Sequence, residues 1–315
     1  MSHTAASAGP APWHARLGPR RWSGPRLLLW LGLLLLLTLL WSAGQGAYSL
    51  PLSELPAVLL GAVTTAAPGS GADLVFFHIR LPRLVLGLVA GAGLGMAGAL
   101  MQGLFRNPLA DPGLIGVSSG AALAAGTTIV MGHLWFPDMP RALGSWTLVL
   151  MAFAGGLAVT VLIYLLSRGE GGTRVGLMLL AGIAVNALAG AGLGLLSFLA
   201  TDEQLRNLQF WLLGSLGGAR WSAVALVAGV TLVAGAIGLR LARPLNALAL
   251  GETQAGHLGV DVAGIKRAAI VVTALAVGAL VAATGVIAPR EQAYTPDQLM
   301  QALRRGEISV GVVLP

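Results

Sequence analysis

Residues 80–120 read RLPRLVLGLVAGAGLGMAGALMQGLFRNPLADPGLIGVSSG. From Leu84 to Phe105 the stretch holds 22 residues without a formal charge. At about 1.5 Å of rise per helical residue, that is enough to cross the ~30 Å of hydrocarbon in a bilayer. Arg80 and Arg83 stand at its start, and Pro108 and Pro112 follow its end. The run is therefore read as one membrane crossing with a different mouth on each side. Gly87, Gly91 and Gly95 fall four apart on one helical face, a spacing that lets a second helix approach closely in lipid, where packing drives association.

Composition extends that reading to the whole chain. Of its 315 residues 56% are hydrophobic and 10% charged, against about 25% charged in soluble domains, and the mean hydropathy is +0.81. This is an integral membrane protein. With no cysteine, disulfides, thiolate metal sites and thiol nucleophiles are excluded. The net charge of +7 is not a nucleic-acid signature, because the arginines are scattered over loops between apolar runs and carry topological information instead.

The apolar runs number seven: 27–47, 84–105, 114–134, 146–167, 175–200, 222–239 and 268–288. Three regions follow: a basic, Pro/Gly/Ser-rich cytoplasmic tail over 1–26 with too little apolar surface to fold, a transmembrane domain over 27–288, and a polar tail over 289–315. The first run ends in small residues, as a cleavable signal does, but six more spans follow it and it is read as retained. Placing the N-terminus inside assigns 11 positive residues to the inner face and five to the outer: Arg80, Arg83, Arg141, Arg206 and Arg220. That asymmetry supports the orientation. The outer segment 48–83 contains an amphipathic piece, Leu52 to Leu60, expected to lie on the membrane surface.

All charged residues fall outside these seven spans, whereas ion-coupled transporters generally hold an ionisable group inside the membrane. The five histidines are far apart and have no metal-ligand spacing. Nor is there a P-loop, since the only lysine, Lys266, follows Ile265. No catalytic residue, metal or cofactor is expected of this chain, and energy must come from a partner.

Three loops carry the remaining information. Arg80 and Arg83, spaced i, i+3, serve either as interfacial anchors or as a fork-shaped docking site for carboxylates of an external protein. In the inner loop from Arg106 to Gly113 the two prolines interrupt helix, giving a sharp re-entry turn or a constriction lined by Asn107 and Leu109. The largest inner loop, Arg240 to Arg267, is expected to form two short helices punctuated by glycine. They either lie in the interface or seat in a groove of a cytosolic protein.

Four ordered segments together resemble the FecCD-type permease family, the transmembrane subunits of ABC importers for iron-siderophores, haem and vitamin B12. They are residues 80–121, LLAGIAVNAL (179–188), FWLLGSL (210–216) and LNALALGETQAGHLGVDV (245–262). The resemblance implies an all-α polytopic bundle in the bacterial inner membrane, paired with a second permease subunit as a homo- or heterodimer. It also implies a periplasmic or extracellular substrate-binding protein docked outside and two ATPase subunits inside that bind the ATP. It places Arg80 and Arg83 at the binding protein and Asn107 and Leu109 at the cytoplasmic gate. Leu250, Gly251, Glu252, His257, Leu258 and Gly259 fall in the loop that seats in the ATPase. A second gate strip would lie near 167–176, with Thr173 its nominal counterpart. The family is expected to have about ten spans, whereas this chain ends in APREQAYTPDQLMQALRRGEISVGVVLP (288–315), which departs from it. The rival readings are a non-ATP channel or secondary transporter, and a shortened permease that no longer transports.

Overall fold

The computed structural model describes residues 24–45, 74–135, 141–169 and 172–285. Residues 1–23, the segment 46–73 with the expected surface helix Leu52 to Leu60, and the tail beyond 285 lie outside the described residues. The chain divides into two units. The first contains α1 (Gly24–Gly44), a helix of 21 residues built largely of leucine.

The second unit opens with a π-helical turn, Phe76–Arg80, that runs without a break into α2 (Leu81–Phe105). A 3-10 turn, Pro112–Ile115, leads to α3 (Val117–Trp135), then α4 (Arg141–Leu166). A minimal antiparallel hairpin, β1 (Arg168–Gly169) against β2 (Gly172–Thr173), precedes α5 (Val175–Leu199). There follow α6 (Asp202–Leu213), α7 (Trp221–Ala249), α8 (Glu252–His257) and α9 (Val262–Thr284). Seven of the described helices are long and apolar enough to cross a membrane, and they coincide with the seven spans read from the sequence.

At the centre stands α9, packed against α2, α3, α4 and α7. Its buried side chains are nearly all small: Ala269, Val272, Ala274, Ala276, Val277, Ala279 and Ala282, with Ile270 and Leu280. A helix apolar all round belongs inside a bundle, and short side chains let four neighbours come close at once. A second close approach joins α3 to α4. A Cβ added at Gly120 would stand 2.5 Å from the Gly155 carbonyl, and one added at Gly156 would stand 2.7 Å from that of Val117.

The expected glycine stripe on α2 does not make such a contact within this chain. A Cβ at Gly91 or Gly95 would meet nothing within 4 Å, and one at Gly87 would meet only Leu216 Cδ1 at 3.4 Å. Besides α9, α2 packs against α7, and that contact is made at Gly93, whose added Cβ would lie 3.3 Å from Thr231 Oγ1. The helix starts earlier and its contact face is rotated from the one that the four-residue spacing marks.

One further expectation is corrected. The inner loop was read as two short helices, but its first half is the end of α7, which continues through Pro244 to Ala249. Only α8 stands apart. The apolar spans themselves stay free of charge, but the helices extend past them to take in Arg83 in α2, Arg240 and Arg243 in α7, and Lys266 and Arg267 in α9. The helices outlast the apolar windows, because a helix continues while its backbone is satisfied, whatever the charge of its end turns.

Candidate functional site

Helix α2 ends where Arg106 adopts a left-handed conformation, φ 51°. The chain then turns tightly: the Leu109 amide donates to Asn107 Oδ1 at 2.9 Å and the Ala110 amide to the Asn107 carbonyl at 3.1 Å. Asn107 thus braces the turn with its own side chain, while Leu109 projects outward, 86% exposed. Asp111 repeats the device, its Oδ1 accepting from the Gly113 amide at 2.6 Å.

From there the 3-10 segment packs along α5. Asn186 Nδ2 donates to the Gly113 carbonyl at 3.1 Å, and Ser119 Oγ donates to Asn186 Oδ1 at 2.5 Å. Gly182 leaves room for the Leu114 carbonyl, which any Cβ there would strike. Asn186 stands 11 residues past the start of α5, roughly 16 Å along it. Non-helical backbone this far along a spanning helix requires polar partners from protein, and Asn186 supplies them. The sequence reading used Asn186 only as part of a matching segment; a lone asparagine in an apolar run was the available signal.

At the same end of the bundle three loops are linked through Glu252 and Lys266. Glu252, the first residue of α8, places Oε2 at 2.7 Å from Lys266 Nζ of α9 and Oε1 at 3.8 Å from Arg106 Nη2. The Lys266 ammonium also donates to the Thr173 carbonyl of β2 at 2.8 Å. Lys266 is 3% exposed, while Glu252 is 42% exposed along its side chain. The longer, exposed Arg106 contact contributes little. The Lys266 contact is of a different kind, because a buried ammonium without its partners is strongly unfavourable. In sequence Lys266 is a loop charge that helps set topology and rules out a P-loop; nothing there marks it as buried.

Glycines bound α8 on both sides. Gly251 holds φ 120° and Gly259 φ 79°. The end is a Schellman motif: the Val260 amide donates to the Ala255 carbonyl at 3.0 Å and the Gly259 amide to that of Gly256 at 2.9 Å. Ala255 is fully buried against the bundle, whereas Leu250 and Leu258 are 68% and 65% exposed and His257 is exposed. The predicted residues of this loop therefore share one short, outward-facing platform.

The opposite end holds the arginine pair, and not as a free fork. Arg80 is buried and Arg83 half-buried. Arg83 donates from Nη2 at 2.7 Å and Nε at 3.2 Å to the Gly217 carbonyl, tying α2 to the loop before α7. Its other, end-on Nη1/Nη2 edge retains donors beyond that carbonyl. The same loop is held by the Ser215 amide on the Thr284 carbonyl at 2.9 Å, and Trp221 Nε1 donates to the Phe77 carbonyl at 3.0 Å. Among the described residues no group of His, Asp and Glu could hold a metal ion.

An all-helical, multi-pass bundle with irregular backbone inside it and a helical platform at one end defines a membrane permease. The pattern of the FecCD transport family matches residues 34–288, and the chain belongs to that family. It is 42% identical over 264 residues to the hemin transport system permease protein HmuU of Yersinia pestis, covering 84% of this chain and 75% of that one. To the cobalamin import system permease protein BtuC of Halobacterium salinarum it is 38% identical over 218 residues, 69% of this chain and 56% of the relative. A solved structure described as an inward-facing conformation of a metal-chelate type ABC transporter matches with a TM-score of 0.69 at 31% identity, covering 84% of this chain and 77% of that one.

Proposed function

We propose that this chain is the membrane-spanning subunit of a binding-protein-dependent importer in the bacterial inner membrane. It moves an iron-siderophore, haem or corrinoid inward by alternating access. Two cytoplasmic ATPase subunits bind and hydrolyse the ATP, a second permease subunit completes the pore, and an external binding protein delivers the cargo. The chain performs no chemical step on the cargo and holds no cofactor.

The observation that carries this reading is the α8 platform. Leu250, His257 and Leu258 lie exposed at the end of the bundle where the Asn107–Leu109 turn and the β1–β2 hairpin converge. A short polar helix anchored by buried Ala255 and flanked by the exposed Leu250 and Leu258 suits seating in a groove of another protein. Displacing it would bias a pore that already has two states. The end-on edge of Arg83 at the opposite end fits a carboxylate of the binding protein.

The test is copurification of an ATPase with the tagged chain, followed by haemin uptake into proteoliposomes. ATP-dependent uptake that fails in Leu258→Asp is expected. Uptake driven by an ion gradient with no ATPase present would overturn the proposal in favour of a secondary transporter.

A further inference from the structure

We infer that Lys266 is a positioning residue that ties α8 to the β1–β2 hairpin, so that displacement of the platform is passed directly to that hairpin. The inference rests on the importer reading for its purpose, though not for its geometry.

Backbone bonds cap α8 at both ends, from Gly251 to the Leu248 carbonyl at 3.0 Å and from Val260 to that of Ala255 at 3.0 Å, but among the described residues none reaches the β1–β2 hairpin. Gly251 and Gly259 flank it at positive φ, and a Cβ added at Gly259 would meet nothing within 4 Å. Such positions turn with little steric resistance. Apart from buried Ala255, the strong side-chain attachment of α8 is Glu252 on Lys266 at 2.7 Å. The ammonium has three donors, and one of them goes to the Thr173 carbonyl.

Because Lys266 is 3% exposed, it has no water to replace either partner. If α8 moves, the lysine must follow Glu252 or be left as an uncompensated buried charge. If it follows, it draws on the Thr173 carbonyl. The hairpin is short, two residues per strand, and its Thr173 is buried beside α9, so the pull on that carbonyl falls on the strand itself. Arg106, at 3.8 Å and half-exposed, offers only a loose second line from Glu252 toward the Asn107–Leu109 turn.

The chain has no cysteine, so a label pair can be placed without background. Gly176 on α5 and Gly256 on α8 both accept a Cβ with nothing within 4 Å. With spin labels at Gly176→Cys and Gly256→Cys in the full chain in nanodiscs, the inter-label distance is expected to be narrow and to broaden about twofold in Lys266→Met. The distance is read without ATP. In the assembled transporter, haemin uptake per ATP is expected to fall about tenfold in Lys266→Met while hydrolysis continues.

The swap Glu252→Lys with Lys266→Glu separates a tie from a plain ion pair. It restores the pair, but a glutamate at 266 has no proton to give the Thr173 carbonyl, so coupling should stay lost. An unchanged label distance in Lys266→Met, or full coupling in the swap, overturns the inference. Uptake independent of ATP in the unaltered chain would instead sink the importer reading, leaving the label distances to decide the tie.

Discussion

Single glycines separate two kinds of requirement in this chain. At Gly155 the requirement is space: an added Cβ would run into Ala124 and stand 2.6 Å from the Gly120 carbonyl. Gly155→Ala must push α3 and α4 apart, and overpacking of this kind costs about 1–3 kcal/mol. Gly91 sits in the same kind of apolar helix with nothing within 4 Å, so Gly91→Ala in the isolated chain should be neutral or gain ~0.5–1 kcal/mol from helix propensity. Thermal unfolding in detergent checks the pair, and equal losses would mean that the α2 stripe is packed after all. At Gly259 the requirement is conformational, since φ is 79° in open space. Gly259→Ala should cost ~1–2 kcal/mol, and Gly259→Pro more, because proline cannot reach that φ and removes the donor to the Gly256 carbonyl. In the assembled transporter Gly259→Pro should hydrolyse ATP without uptake; normal coupled uptake would remove α8 from the coupling path.

At the scale of elements, what the sequence reveals depends on whether lipid or protein specifies the element. The seven spans were legible because hydrocarbon demands some 20 apolar residues and tolerates little else. The short α6 was not read as an element, although Thr201 and Gln204 form a capping box, with the Gln204 amide on Thr201 Oγ1 at 3.3 Å and the Thr201 amide on Gln204 Oε1 at 3.0 Å. That signature was present in the sequence as Thr-Asp-Glu-Gln. Thr201→Ala should cost about 1 kcal/mol and speed amide exchange over the first turn of α6 while leaving α5 protected. Exchange unchanged at Gln204 would show the cap to be idle. The continuation of α7 through Pro244 was not legible, because proline is a probable stop by local rules and only the packing of Leu241, Leu245 and Leu248 in the core holds the helix together beyond it. The site divides the same way. Leu250, His257 and Leu258 were readable as a motif, while burial of Lys266 depends on three loops meeting and has no local signature.

At the scale of the molecule, α9 and the loop ends fix which surfaces share a side of the membrane. Helix α9 touches four others, so a bulky change on its buried face, at Ala274 or Ala276 for example, has little room in which to relax. The bonds at the two ends sort the loops without reference to charge. Arg106, Thr173, Glu252 and Lys266 are joined at one end, and Phe77, Arg83, Gly217, Ser215, Trp221 and Thr284 at the other. Charge then chooses which end faces the cytoplasm. Loops at the first end carry Arg106, Arg168 and Arg174 together with the basic residues at the end of α7 and the start of α9, and positive charge is retained on the cytoplasmic side. Impermeant maleimide added outside intact cells should therefore label Glu203→Cys, exposed at the start of α6, and spare Leu109→Cys, exposed in the turn after α2. After permeabilisation both should react. The absence of native cysteine makes either signal unambiguous. Labelling of Leu109→Cys from outside, with Glu203→Cys protected, would invert the bundle and put the α8 platform beyond reach of any cytosolic ATPase.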